Sequence, residues 1–187
     1  MMRPIVAMLL LTALTGCGGS PKTNFFTLDA VPAGSSPTAG WSGSPLEVGQ
    51  VQLPPALDRE SIVTRGAGQQ LNVSDQDRWA GPLDQLLRGA LSDDLRARLP
   101  SGAVLAPGDP TPRGTRVLTV NVQRFMADAS GHVVLEADWS MNRNGNPGEP
   151  RHVRVEAQAS GADGTAVASA MSQALGKLAD RMTGELG

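Results

Sequence analysis

Apolar positions recur at two different periods along this chain, and the switch between them divides it. From residue 117 to residue 159 the period is two. Leu118, Val120 and Val122 alternate with Thr119 and Asn121. Val133, Leu135, Ala137 and Trp139 alternate with Val134, Glu136 and Asp138, and Val153, Val155, Ala157 and Ala159 alternate with His152, Arg154, Glu156 and Gln158. Successive side chains of a strand point to opposite faces, so this pattern predicts three strands, over 117–122, 133–139 and 151–159. The short links between them, including the polar loop from Asn142 to Gly148, predict an antiparallel meander covered on one face. Two other stretches carry helical spacing. Behind Pro82, which suits a first helical turn, Leu83, Leu86, Leu87, Ala90, Leu91 and Leu95 recur at three and four, with Arg88, Asp93, Asp94 and Arg96 off that stripe. Pro100-Ser101-Gly102 ends this helix, and Val167, Met171, Ala174, Leu175, Leu178 and Met182 mark a second one at the C-terminal side.

The first third of the chain is more broken. A strand is expected over 24–28, then a surface loop rich in Pro, Gly and Ser over 30–45, then a strand over 46–53. In that strand Leu46 and Val48 share one phase and Val51 and Leu53 the other, with Gly49 at the change, where a bulge is expected. Pro54-Pro55 stops it. Ser61 to Arg65 reads as a short strand that Gly66-Ala67-Gly68 turns into Gln70 to Val73. Ser74 to Asp77 has the form of a helix start, with Ser74 able to cap. Val104-Leu105 reads as a brief edge strand before a loop over 106–115. Five to seven strands, mostly antiparallel or mixed, with two amphipathic helices on one face make a two-layer α+β sandwich.

Composition narrows the picture. With three Phe, three Trp and no Tyr, the core must rest on Val, Leu and Ala. A net charge of −2 without any dense Lys/Arg cluster excludes nucleic acid as a partner. The N-terminal end has its own logic. Arg3 precedes the apolar run from Ile5 to Leu11, which is too short to span a bilayer, for which about 20 residues are needed. The run leads to Leu14-Thr15-Gly16-Cys17, which resembles a bacterial lipobox. That resemblance implies cleavage after Gly16 and a lipid on Cys17, the single cysteine of the chain. Acylation would remove a free thiol from an oxidising compartment, and several acyl chains on one residue anchor stably. The expected layout is a signal peptide over 1–16, a flexible tether over 17–23 and a single periplasmic domain over 24–187. Gly18, where an Asp would favour inner-membrane retention, points to the periplasmic face of the outer membrane over the inner one.

Candidate chemistry is sparse. His132 and His152 open neighbouring strands, so antiparallel pairing puts them at opposite ends of a hairpin, on the order of 20–25 Å apart, too far to share a metal. Asp75, Asp77, Asp93 and Asp94 lie on or before one helix and do not face each other across a cleft, as a glycosidase requires, so they read as a solvated face. Gly66-x-Gly68 is too short for a phosphate loop, and the run from Gly40 to Ser44 lacks the last glycine and the preceding strand of a nucleophile elbow. No set of nucleophile, base and acid emerges, so no catalytic residue, cofactor or metal site is expected.

One constellation remains. Val51-Gln52-Leu53-Pro54-Pro55-Ala56-Leu57-Asp58-Arg59 continues to Ile62-Val63-Thr64-Arg65, and Asp77-Arg78-Trp79-Ala80-Gly81-Pro82-Leu83 follows. Together with the lipobox, Phe25-Phe26-Thr27-Leu28 and Leu135-Glu136-Ala137-Asp138-Trp139, these resemble the ABC-type transport auxiliary lipoproteins of the PqiC type, over nearly all of the mature chain. Phe stands where that family often has an early Tyr, and Pro55 where a bulky or polar residue is more usual. The resemblance implies a non-enzymatic periplasmic lipoprotein that docks an MCE-domain protein at the outer membrane. Through that protein it would serve an inner-membrane permease, in a system that moves phospholipid between membranes. A ring of identical subunits is one arrangement it allows. The candidate docking residues are Leu53, Pro54, Leu57, Asp58, Arg59, Arg65 and Trp79. The prolines stiffen the segment and remove two donors, so Asp58 and Arg59 would sit at a fixed place, and Arg65 would be free to pair with a carboxylate or a phosphate. The purely structural alternative has Asp58 or Arg59 bonding to backbone to lock the turn, with Trp79 packed beneath. An independent envelope module, binding peptidoglycan or assisting outer-membrane assembly, is the other functional class these features admit.

Overall fold

β5 (Arg116–Ala127) is the spine on which the rest is laid. The computed structural model describes residues 22–34, 41, 43–143 and 145–186, so the expected signal peptide and Cys17 lie outside the described residues. The other elements are β1 (Asn24–Phe26), β2 (Leu46–Gln52), β3 (Ser61–Arg65), β4 (Leu71–Trp79), α1 (Leu83–Arg98), β6 (His132–Arg143), β7 (Arg151–Gln158) and α2 (Gly164–Leu186). They form the expected α+β arrangement: one mixed seven-stranded sheet in the order β1-β4-β3-β5-β6-β7, with β2 also on β5.

The meander is the C-terminal half of the sheet. β5 and β6 pair antiparallel with Val120 opposite Trp139, and β6 and β7 with Ala137 opposite Val153. On its other edge β5 has two partners placed end to end. β2 runs parallel to its first half, from Leu46 opposite Arg116 to Gln52 opposite Asn121, and β3 meets it only at Thr64 opposite Ala127. The phase change at Gly49 is a slip in the β2 register between Val48 and Val51. A Cβ at Gly49 would lie 2.6 Å from Val117 Cγ1, so the slip needs a residue without one. Both central strands outrun the period-two pattern. β5 slips again between Val122 and Arg124, and Phe125 and Ala127 beyond the slip are buried. A bulge resets which face a side chain points to, so strict alternation could not reveal the second half of the strand.

Both helices cover the same face. α1 packs on β2 and on α2, and α2 lies across β7, β6 and β5 and reaches β1. Between the layers Leu91, Leu95, Leu118, Phe125, Leu135, Trp139, Met171, Leu175 and Leu178 have almost no exposed surface. The other face of the sheet is charged: His152 meets Asp138 at 2.9 Å and Arg154 meets Glu136 at 3.5 Å. Such solvent-facing pairs contribute at most about 1 kcal/mol each.

Two sequence expectations need correction. The Ser74 to Asp77 segment is not a helix start but the middle of β4. Ser74 Oγ does accept from backbone N–H groups, of Gln76 at 3.3 Å and Asp77 at 2.9 Å, as a cap would. Here it satisfies a bulge, where β4 carries extra residues between Val73 opposite Val63 and Arg78 opposite Ser61. No apolar helical stripe exists before Leu83, so nothing would hold a helix there. The second correction concerns Asp94 and Val31, which lies at the start of the segment expected to be a surface loop; residues 35–40 and 42 of that loop lie outside the described residues. Leu28 is buried, the Asp29 N–H donates to Ser172 Oγ at 3.2 Å, and the Val31 N–H donates to Asp94 Oδ1 at 2.9 Å. The Val31 carbonyl accepts from Arg98 Nη1 at 3.1 Å, and the same nitrogen donates to Asp94 Oδ1 at 3.0 Å. Arg98 Nε also bonds Asp180 on α2. Asp94 and Arg98 side chains are 0% and 5% exposed. The chain after β1 is thus a strap over the helix layer, and Gly176 leaves room for it, since a Cβ there would lie 3.0 Å from Val31 Cβ.

Burial pushes the Asp94 carboxyl up to about 6, against the opposing pull of the Val31 N–H and of Arg98. Its folded value lies above its unfolded one, so between roughly pH 4 and 6 the folded state binds more protons, and stability from this group falls as pH rises through that window. Asp94→Asn imitates the protonated acid. It is expected to flatten the dependence of unfolding free energy on pH between about 4 and 6.5, by up to about 3 kcal/mol relative to wild type. Denaturant titrations at a series of pH values check this; parallel curves for the two proteins would show that Asp94 does not titrate in this window.

Candidate functional site

The segment from Leu53 to Glu60 crosses the interval between the two partners of β5, leaving β2 opposite Asn121 and entering β3 before Thr64 reaches Ala127. Pro54 and Pro55 have no N–H to give to a ladder, so β2 ends there. The turn that follows is closed by backbone alone: the Pro54 carbonyl accepts from the Leu57 N–H at 2.9 Å and from the Asp58 N–H at 3.3 Å, and the Leu57 carbonyl accepts from the Arg59 N–H at 2.9 Å. Leu57 is driven into the core, 3% exposed, and Leu53 packs partly buried against it.

Trp79 secures the exit of the segment. It ends β4 with its side chain 4% exposed, and its N–H donates to the Glu60 carbonyl at 2.7 Å. The next N–H, of Ala80, donates to the Phe26 carbonyl at 2.7 Å, so β1, β4 and the loop converge at one buried indole. Outside, Arg78 and Glu60 form an exposed ion pair at 3.1 Å. Asp58 and Arg59 stand exposed at the crest of the turn. Among the described residues neither side chain has a hydrogen-bond or ion-pair partner, and the turn is closed without them.

The structure separates Arg65 from this crest. Arg65 is the last residue of β3, opposite Leu71, about 13 Å along the strand from Ser61. It is half-buried, with no side-chain partner among the described residues. Beside it begins a feature the sequence pattern did not signal, a run of exposed apolar side chains along β4 that continues on β1 at the far end. Leu71 and Val73 are 38% and 44% exposed, and Phe25 on β1 is 67% exposed. β1 pairs only Asp77 to Trp79, so among the described residues the outer edge of β4 from Leu71 to Gln76 carries no strand. Its alternation resembles that of a half-buried strand, and only the topology reveals that no layer of the described residues covers it. The candidate residues therefore divide into a buried root (Leu53, Leu57, Trp79), a polar crest (Asp58, Arg59) and an open hairpin (Arg65 beside Leu71).

The histidines belong to the charged sheet face. His132 lies opposite Gln158 and bonds Glu156 at 3.2 Å, while His152 lies opposite Asp138 at the other end of the hairpin. Among the described residues no group of three His, Cys, Asp or Glu side chains is placed to hold a metal, and no helix is long and apolar enough to cross a membrane. What the arrangement offers is a rigid polar crest and an exposed apolar strand edge, both suited to contact with another macromolecule.

Residues 26–183 match the family described as the ABC-type transport auxiliary lipoprotein component. The chain is 30% identical over 133 residues to "Intermembrane transport lipoprotein PqiC" of Escherichia coli strain K12, covering 71% of this chain and 70% of that one. A crystal structure of an uncharacterized protein superposes with a TM-score of 0.74 at 21% identity, covering 89% of this chain and all (100%) of the other. One of a protein from Xanthomonas campestris gives 0.70 at 20% identity, covering 87% and 94%. Both likenesses establish the fold alone.

Proposed function

Since the chain belongs to the ABC-type transport auxiliary lipoprotein family, we propose that it is a non-enzymatic subunit of an intermembrane lipid transport system. It is anchored through Cys17 at the periplasmic face of the outer membrane and docks an MCE-domain protein there. Through that partner it serves an inner-membrane permease. The observation that carries this reading is the extent of the match, residues 26–183, which takes in β2 to most of α2 together with the strap and the crest loop. The geometry agrees with it. A docking subunit needs surface groups held by a rigid root, and Asp58 and Arg59 are exposed on a turn whose Leu57 and neighbouring Trp79 are buried. It needs no cofactor.

The seven residues from Cys17 to Thr23 reach at most about 25 Å when extended, so the anchor holds the body close to the bilayer. The chain enters by Lys22, beside Gln76 and Asp77, on the side toward which the β3–β4 hairpin projects.

Affinity purification from gently solubilised membranes tests the proposal, with wild type and Cys17→Ala compared and bound proteins and lipids identified together. Wild type is expected to recover an MCE-domain protein and its permease, with a several-fold drop for Cys17→Ala. Recovery of peptidoglycan fragments or outer-membrane assembly factors by both forms, without any MCE protein, would replace transport with an independent envelope-binding role.

A further inference from the structure

α2 begins beside Phe26 and runs for 23 residues, about 34 Å, to a cavity at the opposite end of the sheet. There the first residue of β5, Arg116, is paired across the ladder with the last residue of β6, Arg143. Like charges directly opposite each other on paired strands repel. Arg116 is also only 9% exposed: its guanidinium stacks over Trp41 at 3.9 Å and donates to the Ser44 carbonyl through Nε at 3.3 Å and Nη2 at 3.2 Å. Burial, and then the neighbouring Arg143, hold its pKa below the usual guanidinium range. Among the described residues no carboxylate forms an ion pair with either arginine. A desolvated cation facing a second cation is costly unless an anion joins them.

The cavity has the room and the walls for one. It is a cleft open to solvent with room of about 520 Å³, within the range of small-ligand sites. Met141 and Leu186 give it apolar wall, and the buried indole N–H of Trp139, which also borders it, has no hydrogen-bond partner among the described residues. A third arginine, Arg151, lies 4.9 Å over the Trp139 ring, but Glu185 already engages it through carboxylate and carbonyl, both at 3.2 Å. Glu149 is the remaining acid at the rim. Arg143, whose fork has no partner among the described residues, and Arg116, whose Nη1 is left over from the Ser44 carbonyl, match beside an apolar wall a phosphate that carries a short carbon group, since a guanidinium fork binds phosphate oxygens in pairs.

We propose that this cavity binds a phosphate group through Arg116 and Arg143, with the attached carbon chain against Met141 and Leu186. The phosphate comes either from a lipid headgroup or from free phosphate. The headgroup source rests on the transport reading above, whereas the site does not.

Calorimetric titration of the full-length protein in non-ionic detergent, at matched ionic strength, tests it with two probes: glycerophosphoglycerol, a headgroup phosphodiester, and inorganic phosphate. Wild type is expected to show saturable one-to-one binding. Arg143→Gln, at an exposed position that folding tolerates, is expected to bind at least about tenfold more weakly. Arg124→Gln, near the other end of β5, is expected to bind as wild type does. Tighter binding of the diester supports a lipid headgroup, and equal or tighter binding of inorganic phosphate supports free phosphate. The proposal is overturned if neither probe gives saturable heat up to about 10 mM, which is weaker than about 3 kcal/mol of binding, or if Arg143→Gln binds as wild type does, or if both substitutions weaken binding alike. Loss of this site with an MCE protein still co-purifying leaves the transport reading intact; phosphate binding without that partner does the reverse.

Discussion

Arg98→Met is expected to remove about 3–5 kcal/mol of folding stability, the cost of leaving one partner of a buried ion pair without the other. The arginine is 5% exposed, and its guanidinium serves four oxygen acceptors: the Val31 carbonyl, the Asp94 carbonyl at 2.9 Å, Asp94 Oδ1 and, through Nε, Asp180 Oδ1. Methionine keeps much of the stem and removes all of the donors. Asp94, fully buried with Oδ2 already lacking a partner, is then a carboxylate in apolar surroundings. Urea denaturation at pH 7.5 measures the loss. At pH 5 it is expected to shrink, because the Asp94 carboxyl, pushed up to about 6, then takes a proton and no longer needs the cation. Adding Asp94→Asn to Arg98→Met is expected to recover most of the lost stability, as coupled partners of one network do. Strict additivity of the two changes would mean that the pair does not act as a unit.

The second large effect lies at the root of the crest loop. Trp79→Ala is expected to cost about 3–5 kcal/mol, the range for deleting a buried large aromatic. It empties the point where β1, β4 and the Glu60 carbonyl meet. Asp58→Ala and Arg59→Ala, by contrast, remove exposed side chains that close no turn, and are expected to stay within about 0.5 kcal/mol of wild type. Chemical denaturation of the three variants separates the roles. If either crest substitution unfolds the protein as Trp79→Ala does, then Asp58 or Arg59 locks the turn after all. If the crest substitutions leave stability alone and abolish recovery of the MCE partner, the crest is the contact.

Residue pattern and final structure agree best where burial has one simple direction. The alternation in β6 and β7 and the stripes of α1 and α2 faced a single apolar layer, so period alone located them. Pro82 and Pro100 bounded α1 for steric reasons that act within a few residues. What the pattern could not carry was long-range. That β2 and β3 share one edge of β5 depends on pairings such as Leu46 with Arg116 and Thr64 with Ala127, far apart along the chain. The bulge at Val122 in β5 and the Ser74 bulge in β4 interrupt alternation and so hide the strand beyond them. Asp94 looked solvated because helix periodicity finds only the apolar stripe, and its burial comes from the strap and Arg98. Of the candidate site, the buried or exposed character of Leu57, Asp58, Arg59 and Trp79 follows from a turn that begins at Pro54. The distance of Arg65 from them follows from β3 being extended, and the open edge beside Leu71 follows from the shortness of β1, which no local signal records.

The strap has a mechanical consequence. Tension applied to the chain ahead of Asn24 runs along β1, whose bonds to β4 lie across the direction of pull and so share the load in shear rather than opening one by one. Beyond β1 the same tension meets Val31, held on both its N–H and its carbonyl by the α1 side chains Asp94 and Arg98, with Arg98 tied in turn to α2. Strain entering through the tether is thus handed to the sheet edge and to both helices in series. Pulling on the chain ahead of Asn24 is expected to load β1 and the Val31 contacts before it opens the core.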